Sequence, residues 1–437
     1  MKKILALLMA AMMMVTMTAC ATAESGEKTH IVFWHSMSDE AGALIEKYVA
    51  DFNATIGAEQ NIEVEAVFQG SYSDATTKLN SMLSAGQTDA LPDVMQMDAT
   101  GKIAYVTSGA AYTVDDLLAD NADADVSTML PAAMGNWNYA GVQLGMPFAT
   151  STTVMYYNKS LLDATGVAAP QTFDDIIAMA AELPAVNTTD FELVPYASVP
   201  NTPTLANWLG QLGSYLVNNK NGTEGTATEL ACVDNGALAE FLTAWKAMYQ
   251  AGALANNSGS SDAFVTGQQV LMTGSSSNVT SNLNKINGAF EMGVAMYPKV
   301  NADASFGATV SGSCLVMFNK EAKAASWSFV QYMTGAEVQA DFAKGTGYIP
   351  SNTAAMETET YKALIAENPL YSVGLAQLME TPADMRSVTV GPSADFYYAI
   401  QNCIAEMLDE DLSVEETVEI MVDELGGLLD QYNKANQ

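Results

Sequence analysis

The chain has 437 residues, of which 49% are hydrophobic and 15% charged, so it is too apolar for a disordered protein and long enough for two or three domains. Its 50 acidic residues outnumber 17 basic ones and give a formal net charge of -33. That charge repels phosphate backbones and anionic membrane surfaces, which argues against nucleic acid as a partner.

The N-terminus has the layout of a secretory signal peptide over residues 1–19. Two lysines precede an apolar run over 4–15, and small residues then lead to Cys20 in a segment that resembles a bacterial lipobox. The run is too short for a spanning helix, which needs about 20 apolar residues. We therefore expect export, cleavage before Cys20, acylation of that cysteine and a polar tether over 20–27. The alternative is an ordinary signal peptide that ends near Ala23.

The remaining chain alternates strands and helices. The hydrophobic periodicity predicts a strand over 31–34, a helix over 41–52, a strand over 62–68, a helix over 75–83 and a strand over 93–97. This β-α-β-α-β order predicts an α/β fold with a parallel sheet. No long linker interrupts the pattern, so any domain boundary must be crossed by short segments.

Capping boxes predict further helix starts. They pair Thr113 with Asp116, Thr172 with Asp175, and Ser413 with Glu416. The later cysteines, Cys232, Cys314 and Cys403, have no short spacing and predict buried thiols rather than a disulfide framework or a zinc site.

The residue inventory argues against an enzyme. Only two histidines, His30 and His35, are available for a metal site or a Ser-His-Asp triad. No nucleophile elbow, phosphate-binding loop or dinucleotide-binding turn is present. We expect no catalytic residue, cofactor or metal, and a glycosidase, which needs only two carboxylates, remains the enzymatic alternative.

The segment Phe33-Trp34-His35-Ser36-Met37 resembles the mature start of sn-glycerol-3-phosphate-binding proteins, which belong to the family 1 extracellular solute-binding proteins of ABC transporters. Collinear matches follow over the whole mature chain, among them Tyr156-Tyr157-Asn158-Lys159 and Gly345-Thr346-Gly347-Tyr348-Ile349-Pro350. The resemblance implies two α/β lobes, a ligand cleft between them and a hinge that the chain crosses three times. The implied crossings lie near Thr150, Pro298 and Asn319. The implied lobes are 28–150 with 299–319, and 151–298 with 320–437.

The resemblance also places ligand contacts on residues in loops or at strand ends, where α/β folds bind ligands. These are Tyr72, Asp98, Ser151, Ser275, Gly312 and Tyr348. Their acceptor, hydroxyl and aromatic groups suit a polyol. Trp34 and Trp208 are further candidates for stacking on a sugar ring, and Trp137 and Tyr139 are secondary ones. Packing in the core is the alternative for Trp34 and Trp208.

One departure from the resemblance concerns phosphate recognition. Glycerol-phosphate binders carry a late arginine, and the corresponding position here is Tyr397, whereas the chain's only arginine is Arg386. Since phosphate sites favour the bidentate guanidinium, we predict a mono- or oligosaccharide ligand. sn-Glycerol-3-phosphate or a glycerophosphodiester is the alternative, and a surface adhesin without transport is a lesser one. We expect a monomer, anchored outside the membrane by Cys20, that delivers its solute to ABC permease subunits.

Overall fold

The structure of the protein is a computed structural model that describes residues 28–121, 125–382 and 384–436. The expected signal peptide, the tether and Cys20 lie outside the described residues. Within the described part of the chain, no helix has both the length and the apolarity needed to span a membrane.

Thirteen strands are present in the described residues. They are β1 (Thr29–His35), β2 (Ile62–Phe68), β3 (Val94–Met97), β4 (Ala111–Tyr112), β5 (Asn138–Tyr139), β6 (Val142–Gln143), β7 (Met146–Asn158), β8 (Val194–Ala197), β9 (Leu254–Ala255), β10 (Gln269–Ser275), β11 (Met292–Met296), β12 (Val310–Phe318) and β13 (Ile349–Pro350).

Eleven of these strands form one sheet, β5 and β6 form a separate two-stranded sheet, and helices cover both faces of the large sheet. They are α1 (Asp39–Ala54), α2 (Ile56–Gln60), α3 (Tyr72–Ser84), α4 (Lys102–Thr107), α5 (Val114–Asp120), α6 (Pro131–Asn136), α7 (Lys159–Thr165), α8 (Phe173–Val186), α9 (Thr202–Gln211), α10 (Ala237–Gln250), α11 (Ser261–Val265), α12 (Val279–Ile286), α13 (Lys323–Met333), α14 (Ala336–Thr346), α15 (Glu359–Glu367), α16 (Val373–Glu380), α17 (Ser393–Asp409) and α18 (Val414–Ala435). A left-handed turn occupies Asn218–Gly222.

The predicted opening β-α-β-α-β unit is confirmed. Strand β1 pairs in parallel with β2 along its whole length and with β3 on its other edge. Helix α1 packs on this sheet through its buried stripe of Ile45, Tyr48, Val49 and Phe52, which recurs at helical spacing. The predicted capping boxes also form, at the starts of α5, α8 and α18.

A single strand, β7, joins the two lobes. The main sheet has the order β2-β1-β3-β12-β7-β10-β8-β9, and β7 is 13 residues long. Its first part pairs with β12 between Met146 and Thr152, and its second part pairs with β10 from Thr153 onward. The first lobe is therefore built around β1, β2, β3 and β12, and the second around β8, β10 and β11.

Each lobe has its own apolar core. In the first lobe, Phe33 and Phe329 face one side of the sheet and Met95 and Val316 face the other. The core of the second lobe contains an aromatic cluster formed by Phe173, Trp208, Phe241, Trp245 and Tyr297. Such aromatic packing adds to the stability gained from burial. The cysteines Cys232, Cys314 and Cys403 are buried as free thiols, as predicted.

The division between the lobes differs from the expected one in two places. Helices α13 and α14, expected in the second lobe, pack in the core of the first lobe, and α15 packs on α14. The chain returns to the second lobe only between α15 and α16, rather than near Asn319. Val300 and Ala308, expected in the first lobe, pack in the core of the second. Amphipathic periodicity shows that a helix buries one face, but not which lobe receives it.

Candidate functional site

Strand ends from both lobes meet near the middle of β7. Ser275, the last residue of β10, pairs with Thr153, and Gly312, near the amino end of β12, pairs with Thr150. Met97, the last residue of β3, pairs with Cys314, two residues along β12 from Gly312. Loops that follow these strand ends therefore face the junction between the lobes, which is where α/β sheets bind ligands. We call this junction the cleft.

A buried amide organises the first-lobe side of the cleft. The Gln96 Nε2 atom donates to the Ser313 hydroxyl at 2.8 Å and to the Tyr72 hydroxyl at 3.2 Å, and its Oε1 accepts from the Ser36 N–H at 3.1 Å. Burial of Tyr72, together with the nearby Tyr348, raises the pKa of Tyr72 well above its ordinary value. The Tyr72 hydroxyl thus stays protonated and can act as donor or acceptor.

Tyr348 connects this cluster to the second lobe. Its hydroxyl lies within hydrogen-bonding reach of Ser277 and Tyr72, and its ring stacks on Phe342 at 5.3 Å. Ser277 in turn shares a 2.8 Å hydrogen bond with Ser275. The structure therefore brings together three of the predicted contact residues, Tyr72, Ser275 and Tyr348, in one network of hydroxyl groups.

Asp98 begins the turn that follows β3. Its carboxylate accepts hydrogen bonds from the Thr100 N–H at 3.2 Å and from the Thr100 hydroxyl at 2.6 Å, and it is half-buried. Burial raises its pKa, although Thr100 and Lys102 act in the opposite direction. The Asp98 carboxylate lies close enough to Tyr72 to raise the pKa of that tyrosine.

The remaining two predicted contacts lie on the paired strands at the base of the cleft. Ser151 is 3% exposed and pairs with Ser311. Gly312 has a φ of +99°, and a Cβ atom there would lie 1.8 Å from the Ala149 carbonyl oxygen. Gly312 is thus required by the backbone itself, so its presence does not by itself indicate a ligand contact.

The tryptophans predicted for stacking lie in the cores instead. Trp208 is 0% exposed, stacks between Phe241 and Tyr297 and donates its indole N–H to the Pro298 carbonyl at 3.1 Å. Trp34 is 6% exposed and lies beneath the Lys78 ammonium, 4.1 Å from the ring centroid. The predicted stacking role is therefore wrong for both. Core packing also holds for the secondary candidate Trp137, while Tyr139 is partly buried beside it.

A polar pocket of about 340 Å³ lies in the second lobe, beside the end of β10, and none of the six predicted contact residues lines it. Its lining includes Ser198, Asn201, Thr273, Asn278 and Tyr397, which supply hydroxyl and amide groups. The Tyr397 hydroxyl accepts a 3.0 Å hydrogen bond from Asn201 Nδ2. None of the described residues that line this pocket is cationic.

Arg386 occupies a different cavity, of about 430 Å³. Leu130, Val310 and Leu378 contribute to its mostly apolar wall, and none of the six predicted contact residues lines it. The arginine is half-buried there and donates to the Met385 carbonyl at 3.2 Å. This cavity lies between α6 on one side and α16 with the segment that follows it on the other.

Sequence reasoning missed two features of the site. Gln96 is a fully buried amide within the apolar strand β3, and a lone amide in such a strand is the signal that could have revealed it. Phe68 ends β2 with 54% of its surface exposed, and its ring contacts His35 at 5.7 Å. An aromatic ring this exposed beside the strand ends of a cleft is a better stacking candidate than Trp34.

Comparisons with known proteins agree with this architecture. The family model described as bacterial extracellular solute-binding protein matches residues 47–369, more than half of the chain. The sn-glycerol-3-phosphate-binding periplasmic protein UgpB of Yersinia pestis bv. Antiqua (strain Antiqua) is 24% identical over 380 residues, which is 84% of each chain.

Solved structures of similar proteins share the fold. UgpB from Mycobacterium tuberculosis in complex with glycerophosphocholine aligns with a TM-score of 0.76 at 19% identity, over 93% of this chain and 100% of that one. The cyclic alpha-maltosyl-1,6-maltose binding protein from Arthrobacter globiformis aligns with a TM-score of 0.75 at 17% identity, over 92% and 100%. The family consists of non-enzymatic transport components, which removes the glycosidase alternative. This chain belongs to the bacterial extracellular solute-binding proteins, which capture solutes for ABC transporters.

Proposed function

We propose that this protein binds a carbohydrate, either a mono- or an oligosaccharide, in the cleft between its lobes. The observation that carries the proposal is the network of hydroxyl groups at the cleft, and the polar second-lobe pocket has no cationic side chain among its described lining residues. Sugar hydroxyls both donate and accept, so they match Ser, Thr, Asn and Tyr side chains, and Asp98 supplies an acceptor from the first lobe. A phosphate monoester would instead require a cation to offset its charge.

Transport follows from closure of the lobes. A solute that contacts Tyr72 and Asp98 on one lobe and Ser275 and Tyr397 on the other makes all its contacts only when the lobes are closed. Binding then shifts the population toward the closed state, to the extent that the solute binds that state more tightly. The membrane permease receives the solute from the closed form. We further propose that the protein works as a monomer, anchored to the membrane by a lipid on Cys20.

sn-Glycerol-3-phosphate, or a glycerophosphodiester, is the second candidate. It is supported by the name of the Yersinia relative and by the glycerophosphocholine bound to the Mycobacterium structure. A diester carries a single negative charge, and its glycerol hydroxyls suit the same hydroxyl network. Arg386 would have to hold the phosphate from the cavity between α6 and α16, which none of the six predicted contact residues lines.

The test is a thermal-shift screen of the purified protein without residues 1–20, against mono- and oligosaccharides, sn-glycerol-3-phosphate and glycerophosphocholine. Ligand at 100 times its Kd stabilises a protein by about 2.7 kcal/mol. Stabilisation by a sugar, confirmed by calorimetry, supports the proposal. Stabilisation by the phosphate esters alone would replace it with the second candidate, and no stabilisation by any of these solutes would favour an adhesin.

A further inference from the structure

The cavity of about 430 Å³ that contains Arg386 has walls from both lobes. Helix α6 belongs to the first lobe, and α16 with the segment that follows it belongs to the second. A cavity of this volume, with a mainly apolar wall and a few polar groups, is typical of a small-molecule site. None of the residues in the hydroxyl network of the cleft lines it. The proposed binding of solute in the cleft therefore does not account for this cavity.

The cavity and the hydroxyl network lie on opposite faces of the strands that join the lobes. Ser275 of the network pairs with Thr153 of β7, and paired residues point to the same face of a sheet. The preceding residue, Thr152, points to the other face, where its hydroxyl accepts a 3.0 Å hydrogen bond from Gln377 of α16. Thr152 pairs with Val310, which lines the cavity. A ligand in the cavity would therefore be separated from the network by β7 and β12.

The wall of the cavity has an apolar part and a polar part. Leu130 and Leu378 belong to an apolar cluster to which both lobes contribute. In the polar part, the Ser387 hydroxyl donates a 2.6 Å hydrogen bond to the Asn136 side chain, next in sequence to Arg386. Leu130 and Asn136 lie at opposite ends of α6, about 9 Å apart along the helix axis. The cavity therefore suits a ligand with an apolar end and a polar end.

Arg386 determines the charge of the polar end. Its guanidinium keeps its positive charge at every pH at which the protein is folded, and its planar set of donors matches a carboxylate. No other charged side chain is among the described residues of the wall, and the neighbouring Asp384 is exposed outside it. A cation in an otherwise uncharged, apolar wall attracts anions, because the low-dielectric surroundings focus its field. The polar end of the ligand should therefore be an anion.

We propose that this cavity is a second ligand site, which binds a small amphipathic carboxylate of the medium-chain fatty acid class, separately from the solute in the cleft. The acyl chain lies against the apolar cluster at Leu130 and Leu378, and the carboxylate pairs with Arg386. Because both lobes contribute to the wall, the affinity for the carboxylate depends on the arrangement of the lobes. The site does not depend on which solute the cleft binds.

The first test uses octanoate as the probe. It is titrated calorimetrically into the protein without residues 1–20, in the absence of any sugar. One octanoate should bind per protein, more tightly than 1-octanol, which has the chain without the charge, and more tightly than acetate, which has the charge without the chain. Equal affinities for octanoate and either analogue would overturn the proposal, as would the absence of octanoate binding.

A charge variant tests the role of the arginine. Arg386→Gln should weaken octanoate binding by a factor of about 10 to 100, as expected for the loss of a hydrogen bond to a charged group. Lys285→Gln is the matched control, because it removes an exposed cation from α12, elsewhere in the second lobe, and should leave the Kd unchanged. An unchanged Kd in Arg386→Gln would overturn the proposal.

A cavity-filling variant tests the location without altering the charge. Gly135 lines the cavity, and a Cβ atom there meets nothing within 4 Å, so Gly135→Phe should fold and should exclude octanoate. Gly427→Phe is the control for an added aromatic ring, since a Cβ atom at this position of α18 also meets nothing within 4 Å. Octanoate binding that Gly135→Phe leaves unchanged would overturn the proposal.

Two further measurements separate this inference from the proposed function. Tyr397→Ala changes the polar second-lobe pocket and should leave the octanoate Kd unchanged, whereas a loss of octanoate binding would place the probe in that pocket and overturn the proposal. sn-Glycerol-3-phosphate has no acyl chain, so the second site should not hold it. If it binds and Arg386→Gln abolishes its binding, the cavity is a phosphate site and the proposal fails. If octanoate alone binds, the inference stands and the proposed function fails.

Discussion

The side-chain amide of Asn201 donates to the hydroxyl of Tyr397 across 3.0 Å, which fixes the orientation of this tyrosine at the second-lobe pocket. Asn201 is itself held by the capping box that starts α9. The pocket therefore offers an oriented aromatic hydroxyl at the position where the resemblance to glycerol-phosphate binders would place an arginine.

Tyr397→Ala is expected to weaken sugar binding more than Tyr397→Phe does. The phenylalanine variant loses about one hydrogen bond, typically about 1 kcal/mol or fivefold in Kd, whereas alanine also loses the aromatic face. Isothermal titration calorimetry of both variants with the sugar from the screen measures the difference. Equal affinities for all three proteins would place Tyr397 outside the binding site.

Asp98→Asn is expected to weaken sugar binding by a factor of about 10 to 100, because hydrogen bonds to charged groups contribute about 1.5 to 3 kcal/mol. Asp120→Asn is a control, since this exposed carboxylate only pairs with Lys323 at the surface. Calorimetry at pH 7 distinguishes the two. A loss of affinity in the control as large as in Asp98→Asn would indicate a general effect of net charge.

Gly312→Ala is expected to destabilise the fold by more than about 1 kcal/mol, because a side chain at its positive φ is strained and would collide with the Ala149 carbonyl. Gly427→Ala on α18, where a Cβ meets nothing within 4 Å, should gain about 0.5 to 1 kcal/mol. Urea denaturation of the two variants gives both values. A neutral Gly312→Ala would mean that β12 and β7 can separate at this point.

His35 is expected to make the protein less stable in mild acid. It is 2% exposed, and burial lowers its pKa from 6.5 despite the nearby Glu46. Because the unfolded chain binds a proton that the folded protein resists, stability should fall as the pH drops below about 6.5. The free energy of unfolding, measured by denaturation between pH 7.5 and 5, should depend less on pH in His35→Leu than in the parent protein. His30→Gln, which replaces the exposed histidine on the same strand, should keep the pH dependence of the parent protein. If His35→Leu lost stability in acid as steeply as the parent protein, the acid sensitivity would come from other groups.

Cys20→Ala is expected to release the protein from the membrane. The acylated cysteine supplies the proposed lipid anchor, so the variant should move from the membrane fraction to the soluble extracellular fraction on immunoblots. Cys232→Ala is a control because this cysteine is buried in the second lobe. A parent protein that is already in the soluble fraction, with no change in the Cys20 variant, would support cleavage near Ala23 without lipidation.

The sequence predicted the structural features that depend on local patterns of residues. The opening βαβ unit and the capping boxes of α5, α8 and α18 follow from periodicity and from contacts within four residues, so the structure confirms them. The placement of α13 and α14 depends on contacts with β1 and α1, which are distant in sequence, and the expected boundary was wrong there.

The sequence also does not show in which direction each side chain points, and this limited the prediction of the site. The resemblance named Tyr72, Ser275 and Tyr348 as contacts, and their side chains lie near one another in the structure, although their contact with a solute stays a prediction. It could not show that Trp208 points into an aromatic core while Phe68 stays exposed beside the cleft. Trp208 and Phe68 are both large and hydrophobic, so hydrophobicity alone does not distinguish them. The packing around each side chain does.

The discontinuous first lobe has a consequence for how the protein is made. Its sheet lacks β12, and its core lacks α13 and α14, until the chain has been synthesised as far as Thr346. A nascent chain shorter than this cannot bury that core, and contacts between such distant segments form slowly. A protein that is exported as an unfolded chain must cross the membrane before it folds. Late completion of the first lobe would delay folding of the leading half of the chain, which suits export by such a route.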